Sequence, residues 1–422
     1  MIATESPSGL VNWSGSHRYR AAELHRPQTL EELQGLVTRG RGELQVLGTR
    51  HTFTAIGDAD GLISLDRLQG ADAIEIDAAA QTVRLGATVT YAELARALNA
   101  EGLALANLAS LPHISVVGAI ATATHGSGTR LGNLATSVRG LELVTSDGDR
   151  VTFDSADPRL PGATVHLGAL GVVTAVTLAV EPHYELRQDV YLGLDWDALA
   201  AHVDEVMSAG RSVSVFHDFG ERAREVWVKG DPGPGAPPDL FGALPAQAPH
   251  NPVPGGLPEN CTAQLGSAGP WSERLPHFRS GFTPSSGEEI QSEWFVARED
   301  AFQAIDALRP LAARMRQVLQ IAELRVIAAD ELWMSPQFGR DSAGLHFTWR
   351  LEPEPVARIC AEIERQLAPL APRPHWGKVF SPGPLPWIPE RLADFLALRE
   401  ELDPSGRFAN PWLRERVIGP AG

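Results

Sequence analysis

Between Ser110 and Gly128 the chain reads SLPHISVVGAIATATHGSG, and this stretch constrains the fold more than any other. Side chains this small let a backbone come close to a ligand. Successive free N–H groups can then hold a pyrophosphate without basic side chains. The segment is not a dinucleotide fingerprint, because G-x-G-x-x-G between a strand and a helix is missing. It is not a Walker loop either, since no Gly-Lys-Ser/Thr follows. Two readings stand at this point: a ligand-cradling loop, or a tightly packed helix of small residues.

The rest of the first 182 residues alternates short strands with a few helices. Thr29-x-x-Glu32 is a capping box that opens a helix stopped at Gly40, and Thr90-x-x-Glu93 opens a second that ends at Gly102. A strand over 44–47 runs into the turn Gly48-Thr49-Arg50-His51-Thr52, whose histidine could serve a nucleotide, a metal or nothing. Strands follow within 61–89, then a hairpin turning at Asp147-Gly148 and a strand over 172–180. Mixed strands with segregated helices point to an α+β fold.

Beyond residue 182 the rhythm changes. Strands at 212–219 and 224–229 precede the stretch 231–270, where 17 of 40 residues are Pro or Gly against 72 of 422 overall. A loop this long is functional or disordered more often than it is packing material. Then come a strand (288–296), a helix (299–316), two strands (320–327 and 344–349) and a helix (355–369), which suggests an antiparallel sheet with helices on one face. Alternation puts Glu323 and Arg325 on one face of the first strand of that pair, and His346 and Thr348 on one face of the second. If the strands are neighbours, the four form one polar patch: either a solvated sheet face or a pocket floor for a polyhydroxylated ligand.

Charge and cysteine content narrow the function classes. A formal net charge of −16 repels phosphate backbones and anionic lipid, so neither nucleic acid nor membrane is expected as a partner. No window approaches the roughly 18 unbroken apolar residues of a membrane span. The opening MIATESPSGL has no basic or apolar leader character, and Cys261 and Cys360 cannot build a disulfide scaffold; the expectation is a reduced, cytoplasmic protein. Among 36 basic residues only Lys229 and Lys378 are lysines, so the lysine in Arg373-Pro374-His375-Trp376-Gly377-Lys378 is informative. No H-E-x-x-H or G-x-S-x-G occurs, and no metal site or serine hydrolase is expected.

Taken in order, LGTRHTF (47–53), LPHISVVGAIATATHGSG (111–128), LGALGVVTAVTL (167–178), ELRVIAAD (323–330), HFTW (346–349) and RPHWGKV (373–379) resemble the vanillyl-alcohol-oxidase type of FAD flavoproteins. The likeness is to the bacterial alditol (xylitol) oxidases and runs from about Trp13 to Asn410. The resemblance implies an α+β FAD-binding domain of residues 1–182 and 376–422, with a substrate-binding cap of residues 183–375. It implies a covalent 8α-histidyl bond from His51 to FAD, with Arg50 standing where family proteins often have glycine. Val46, Leu47, Gly48, Thr49, Arg50, Thr52, Ser110, Ser115, Gly118, Thr122, Ala123, Thr124, His125, Val172 and His375 would contact the same cofactor. Ser110, Glu323, Arg325, His346, Thr348 and Lys378 would line the substrate pocket, with Arg325, Lys378 and Glu323 as catalytic groups.

The implied reaction oxidises the terminal CH–OH of a polyol such as xylitol, sorbitol or glycerol to the aldose. Hydride would pass to flavin N5 and O2 would be reduced to H2O2, in a monomer. The alternatives are an aldonolactone oxidoreductase similar to L-gulonolactone oxidase, and a non-catalytic sugar-binding protein using the same polar sheet.

Overall fold

Both threonine caps form. In the computed structural model, which describes residues 3–39, 42–233, 239–281, 288–383, 385 and 387–419, Thr29 and Thr90 cap the helices Leu30–Thr38 and Tyr91–Ala100. The box at Thr90 is reciprocal, with Glu93 N donating to the threonine hydroxyl and Thr90 N to the Glu93 carboxylate. At Thr29 only half forms, because the Glu32 carboxylate accepts from Gln28 N instead. Gly40 lies outside the described residues. The small-residue segment divides between the two readings: Val116–Ala121 is a six-residue helix, and the flanking residues are loop.

Two sheets carry the N-terminal half. A four-stranded sheet runs in the order Ala3–Glu5, Glu23–Arg26, Gly61–Ile63, Leu44–Val46, and Gly61–Ile63 pairs in parallel with both its neighbours. A five-stranded antiparallel sheet runs in the order Ile74–Asp77, Thr82–Gly86, Val172–Ala179, Val138–Val144, Arg150–Asp154. Both contain the strands expected from the sequence.

A nine-stranded antiparallel sheet carries the second half. Its centre runs Ala223–Gly230, Ser212–His217, Leu319–Ile327, Ser342–Arg350, Glu289–Ala297. The two strands with polar faces are therefore neighbours, as the patch required. On the opposite face Leu324, Val326, Leu345 and Phe347 are buried in the apolar core, where the helix Ala301–Leu308 packs on Glu289–Ala297 and Ser342–Arg350 and the helix Pro353–Leu367 packs on Glu289–Ala297. The helix expected over 299–316 is interrupted, because Pro310 has no N–H and forces the 3-10 turn Arg309–Leu311 before Ala312–Met315.

Several elements were not expected from the sequence, among them the strands Ala3–Glu5 and Glu23–Arg26 and two longer elements. The ten-residue strand Glu185–Leu194 hides its pattern because it buries polar groups: Gln188 donates to the Thr262 carbonyl, and Asp189 binds Arg187. The helix Leu392–Leu402 buries Phe395, Leu398 and Leu402. The Pro/Gly-rich stretch also packs more than its composition suggests, since Leu240, Ala243, Ala246 and Cys261 are buried. Among the described residues no helix is long and apolar enough to cross a membrane.

The small-residue loop is stitched to the large sheet at one point. Gly128 N donates to Val326 O at 2.8 Å, and Val213 N donates to the Ser127 hydroxyl at 3.1 Å. Gly128 has φ +151°, and a Cβ there would lie 2.7 Å from Arg211 O and 2.9 Å from Leu131 Cδ1. Gly128→Ala is expected to cost about 1–3 kcal/mol through that overlap, measured as a lowered midpoint of thermal unfolding.

Candidate active site

A single cavity of about 750 Å³ lies between the two sequence-flagged loops and the polar face of the large sheet. The loops are fixed to each other by Ser115 N, which donates to Thr49 Oγ1 at 3.1 Å, and the turn is tied to the segment 373–379 by Phe53 N, which donates to Gly377 O at 2.8 Å. Glycine makes the approach possible. A Cβ on Gly48 or Gly118 would stand 3.0 or 2.7 Å from Ser115 Oγ.

His51 sits in this cradle, stacked on Trp13 at 5.2 Å between ring centroids and 5.0 Å from the ring of His113. Neither of its buried ring nitrogens has a well-formed hydrogen bond. Burial, with a smaller push from His113, lowers its pKa to about 3, so the imidazole is neutral at any ordinary pH. Arg50, before it, has φ +61°, the left-handed conformation that glycine adopts without strain, and donates to Val11 O at 3.0 Å. The arginine thus occupies a glycine conformation and keeps the turn.

On the opposite wall the strand register sets the chemistry. His346 lies directly across from Glu323 on one side and Glu293 on the other. This face is not solvated: Glu293, Glu323, Arg325, His346 and Thr348 are all buried. Glu293 Oε2 accepts from Lys378 Nζ at 2.6 Å, Oε1 accepts from Arg325 at 3.1 Å, and His125 Nε2 lies 3.3 Å from Oε1. Burial would raise the Glu293 pKa, but Lys378, His125 and Arg325 outweigh it and hold the carboxyl well below its usual range. Arg325 can cross its neighbouring strand because the residue opposite it is Gly344, whose Cβ would lie 3.1 Å from Glu293 Oε1.

Glu323 is ionised for the same reason: Arg325 and His277 overcome the desolvation that would raise its pKa. His277 Nε2 lies 2.9 Å and Arg325 Nε 3.5 Å from Oε1, while Oε2 faces His346 Nδ1 at 3.7 Å. His346 Nε2–H donates to Gln291 Oε1 at 3.2 Å, which leaves Nδ1 as a free lone pair. Burial, then Lys378, holds this histidine neutral.

His125, Glu293 and His375 present ligand atoms within 4.8 Å of one another, the spacing of a metal site. Lys378 and Arg325 already occupy both oxygens of that carboxylate and would repel a metal cation. The cluster is an internal ion-pair network.

Of the site residues named from the sequence, all but Ala123 and Val172 line the cavity. Val172 points the other way on its strand, into a core with Leu44 and Val144, and Gly171 and Val173 reach the cavity in its place. Ala123 turns the chain at φ +53° and is fully buried beneath the loop. Sequence reasoning missed Glu293, Gln291 and His277. Alternation along Glu289–Ala297 carried the signal for the first two; His277 lies in a loop and had none. From the Pro/Gly-rich stretch, Asn251, Pro252, Val253, Gly256 and Asn260 also line the cavity.

Comparison with known proteins identifies the family. The FAD binding domain family matches residues 21–154, and the D-arabinono-1,4-lactone oxidase family matches residues 286–416. The chain is 47% identical to an alditol oxidase of Streptomyces sp., over 98% of this chain and all of that one. It is 29% identical to an L-gulono-1,4-lactone dehydrogenase of Mycobacterium tuberculosis, over 97% of this chain and 99% of that one. Cholesterol oxidase from Brevibacterium sterolicum has the same fold, with a TM-score of 0.78 at 16% identity over 99% of this chain and 98% of that one. The loops, the buried polar sheet and the full-length likeness agree: the chain belongs to the alditol oxidase family of FAD-dependent oxidoreductases, with the two-lobed α+β fold of the vanillyl-alcohol-oxidase type.

Proposed function

We propose that the protein is an FAD-dependent alditol oxidase, which converts the terminal CH–OH of polyols such as xylitol and sorbitol to the aldose and reduces O2 to H2O2. One observation carries the reading. An unpaired neutral histidine in a glycine cradle and a buried sheet face of hydroxyl-binding groups share one cavity. Residues 1–182 and 376–422 are assigned to the FAD-binding domain and residues 183–375 to the cap, because the large sheet is drawn from within 185–374. Two buried, unpaired cysteines suit a reducing, cytoplasmic setting.

FAD fits the cradle. The turn 46–52 and residues Ser115, Gly118 and Thr122 to His125 would hold it by close backbone approach rather than by basic side chains. His51, neutral and with a free lone pair, is suited to the covalent 8α-histidyl bond. Bound there, FAD supplies the hydride acceptor and the route of electrons to O2. The chain's own residues bind and activate the alcohol. Glu323, held ionised, accepts hydrogen bonds from substrate hydroxyls, and Ser110 and Thr348 order those further along the chain. Arg325 and Lys378 place fixed positive charge where the reacting oxygen becomes negative. His346 Nδ1 is the free lone pair that can hold the departing hydroxyl proton.

The match of residues 286–416 to the D-arabinono-1,4-lactone oxidase family favours a second reading, an aldonolactone oxidoreductase. Peroxide release from xylitol, sorbitol, glycerol and L-gulono-1,4-lactone, measured side by side, decides between them. Faster turnover of the polyols is expected, and turnover of the lactone alone would overturn the proposal.

Acid-precipitated protein is expected to stay yellow, and His51→Ala to release its flavin into the supernatant. Free flavin from the unaltered protein would refute the covalent bond. Lys378→Ala and Arg325→Ala should each slow anaerobic flavin reduction by about 10²–10³ in folded, yellow protein. Lys378→Arg should not restore the rate, because a compact ammonium differs from a planar guanidinium. Thr348→Ala should mainly raise KM for longer polyols.

A further inference from the structure

A chain that uses arginine at 34 of 36 basic positions keeps lysine at two, and the two lie at the same pair of buried carboxylates. Lys378 reaches Glu293 directly. Lys229, on Ala223–Gly230, is 1% exposed and approaches Glu323 through one intermediary. Its Nζ donates to Leu275 O at 2.5 Å and lies 3.0 Å from His277 Nδ1, and His277 Nε2 lies 2.9 Å from Glu323 Oε1. An ammonium has donors and no acceptor, so Nδ1 must accept and the ring proton must sit on Nε2, pointing at the carboxylate. All three side chains are more than nine-tenths buried, so the direction of this chain is set by its own members and not by solvent.

We propose that Lys229 is a positioning residue: it fixes His277 as the Nε2–H tautomer, which engages Glu323 Oε1 and presents Oε2 to a substrate hydroxyl. The inference rests on the polyol reading of the cavity. With His277 and Arg325 on Oε1, the remaining oxygen is the one that faces His346 and the cavity. An arginine at 229 would bring a planar, five-donor fork to a site that uses a single point donor.

The groups facing Lys229 and His277 are Glu323, Arg325 and Cys261. Burial brings the Lys229 pKa down to about 7, against the pull of Glu323. As pH rises past that value the neutral amine can accept a proton bond from Nδ1, and the ring can turn an unprotonated Nε2 toward the carboxylate. The grip on Glu323 therefore weakens on the alkaline side.

The test uses the flavin-loaded protein with Lys229→Met, His277→Gln and His277→Leu. Lys229→Met is expected to raise KM for xylitol about tenfold or more, with a smaller change in kcat, and to lose the alkaline rise of KM. His277→Gln, whose amide can accept from Lys229 and donate to Glu323, should stay within about threefold of the parent, while His277→Leu should not. Histidine ¹⁵N shifts read the tautomer directly, with the His277 signal identified by its loss in His277→Gln. Unchanged KM and pH profile in Lys229→Met, or equal loss in His277→Gln and His277→Leu, would overturn the proposal. If Lys229→Met does not fold, the His277 pair decides. If the parent turns over no polyol, the functional reading fails separately, and a protonated Nδ1 at neutral pH would still refute the tautomer assignment.

Discussion

A carboxylate with almost no access to water stands at the centre of this molecule. Moving one such ion out of water costs several kcal/mol even after the protein relaxes, unless fixed partners offset it. Glu293 has Lys378, Arg325 and His125 around it, drawn from three separate segments of the chain. Arg325 also lies beside Glu323, so one guanidinium ties the two buried carboxylates together. Each charge in the cluster is tolerable because the others are present. The pocket floor is therefore a single electrostatic unit.

That unit exists because the sheet register is fixed. A slip of one residue in any of the three central strands would turn the polar face into the helices and the apolar face into the cavity. The apolar side guards against this: Leu324, Leu345, Phe347 and Trp349 are buried in one continuous core, where an unpaired carboxylate would be costly. Gly344 is the local concession that lets Arg325 reach across its neighbour. Packing on one face thus sets the chemistry on the other.

Much of this was legible in the sequence. Period-two alternation placed Glu323 with Arg325 and His346 with Thr348, because a strand buried on both faces still has to sort polar from apolar side chains. The same reading along EIQSEWFVA would have added Gln291 and Glu293. His51 was visible as a loop histidine, yet its isolation from hydrogen-bond partners depends on Trp13 and His113, and no local pattern encodes those contacts. Glu185–Leu194 was hidden because it buries a glutamine, whose amide donates to distant loop carbonyls, and an aspartate bound by a neighbouring arginine. The Val172 side chain lies off the cavity for the simplest reason: a motif names a segment, and alternation decides which of its side chains face the cavity.

The bond from Gly128 N to Val326 O joins the small-residue loop to the strand that carries Arg325. Backbone movement in that strand cannot stay local, because the loop must follow. Over evolutionary time, reshaping the cavity by shifting the main chain of this strand is therefore disfavoured, since the same shift would disturb the small-residue loop on the other side of the cavity. The freedom that remains lies in side-chain exchange on the cavity face and in the irregular segment 251–260, which touches the cavity without belonging to the central strands. Diversification in such a scaffold should concentrate there, on a frame that holds still.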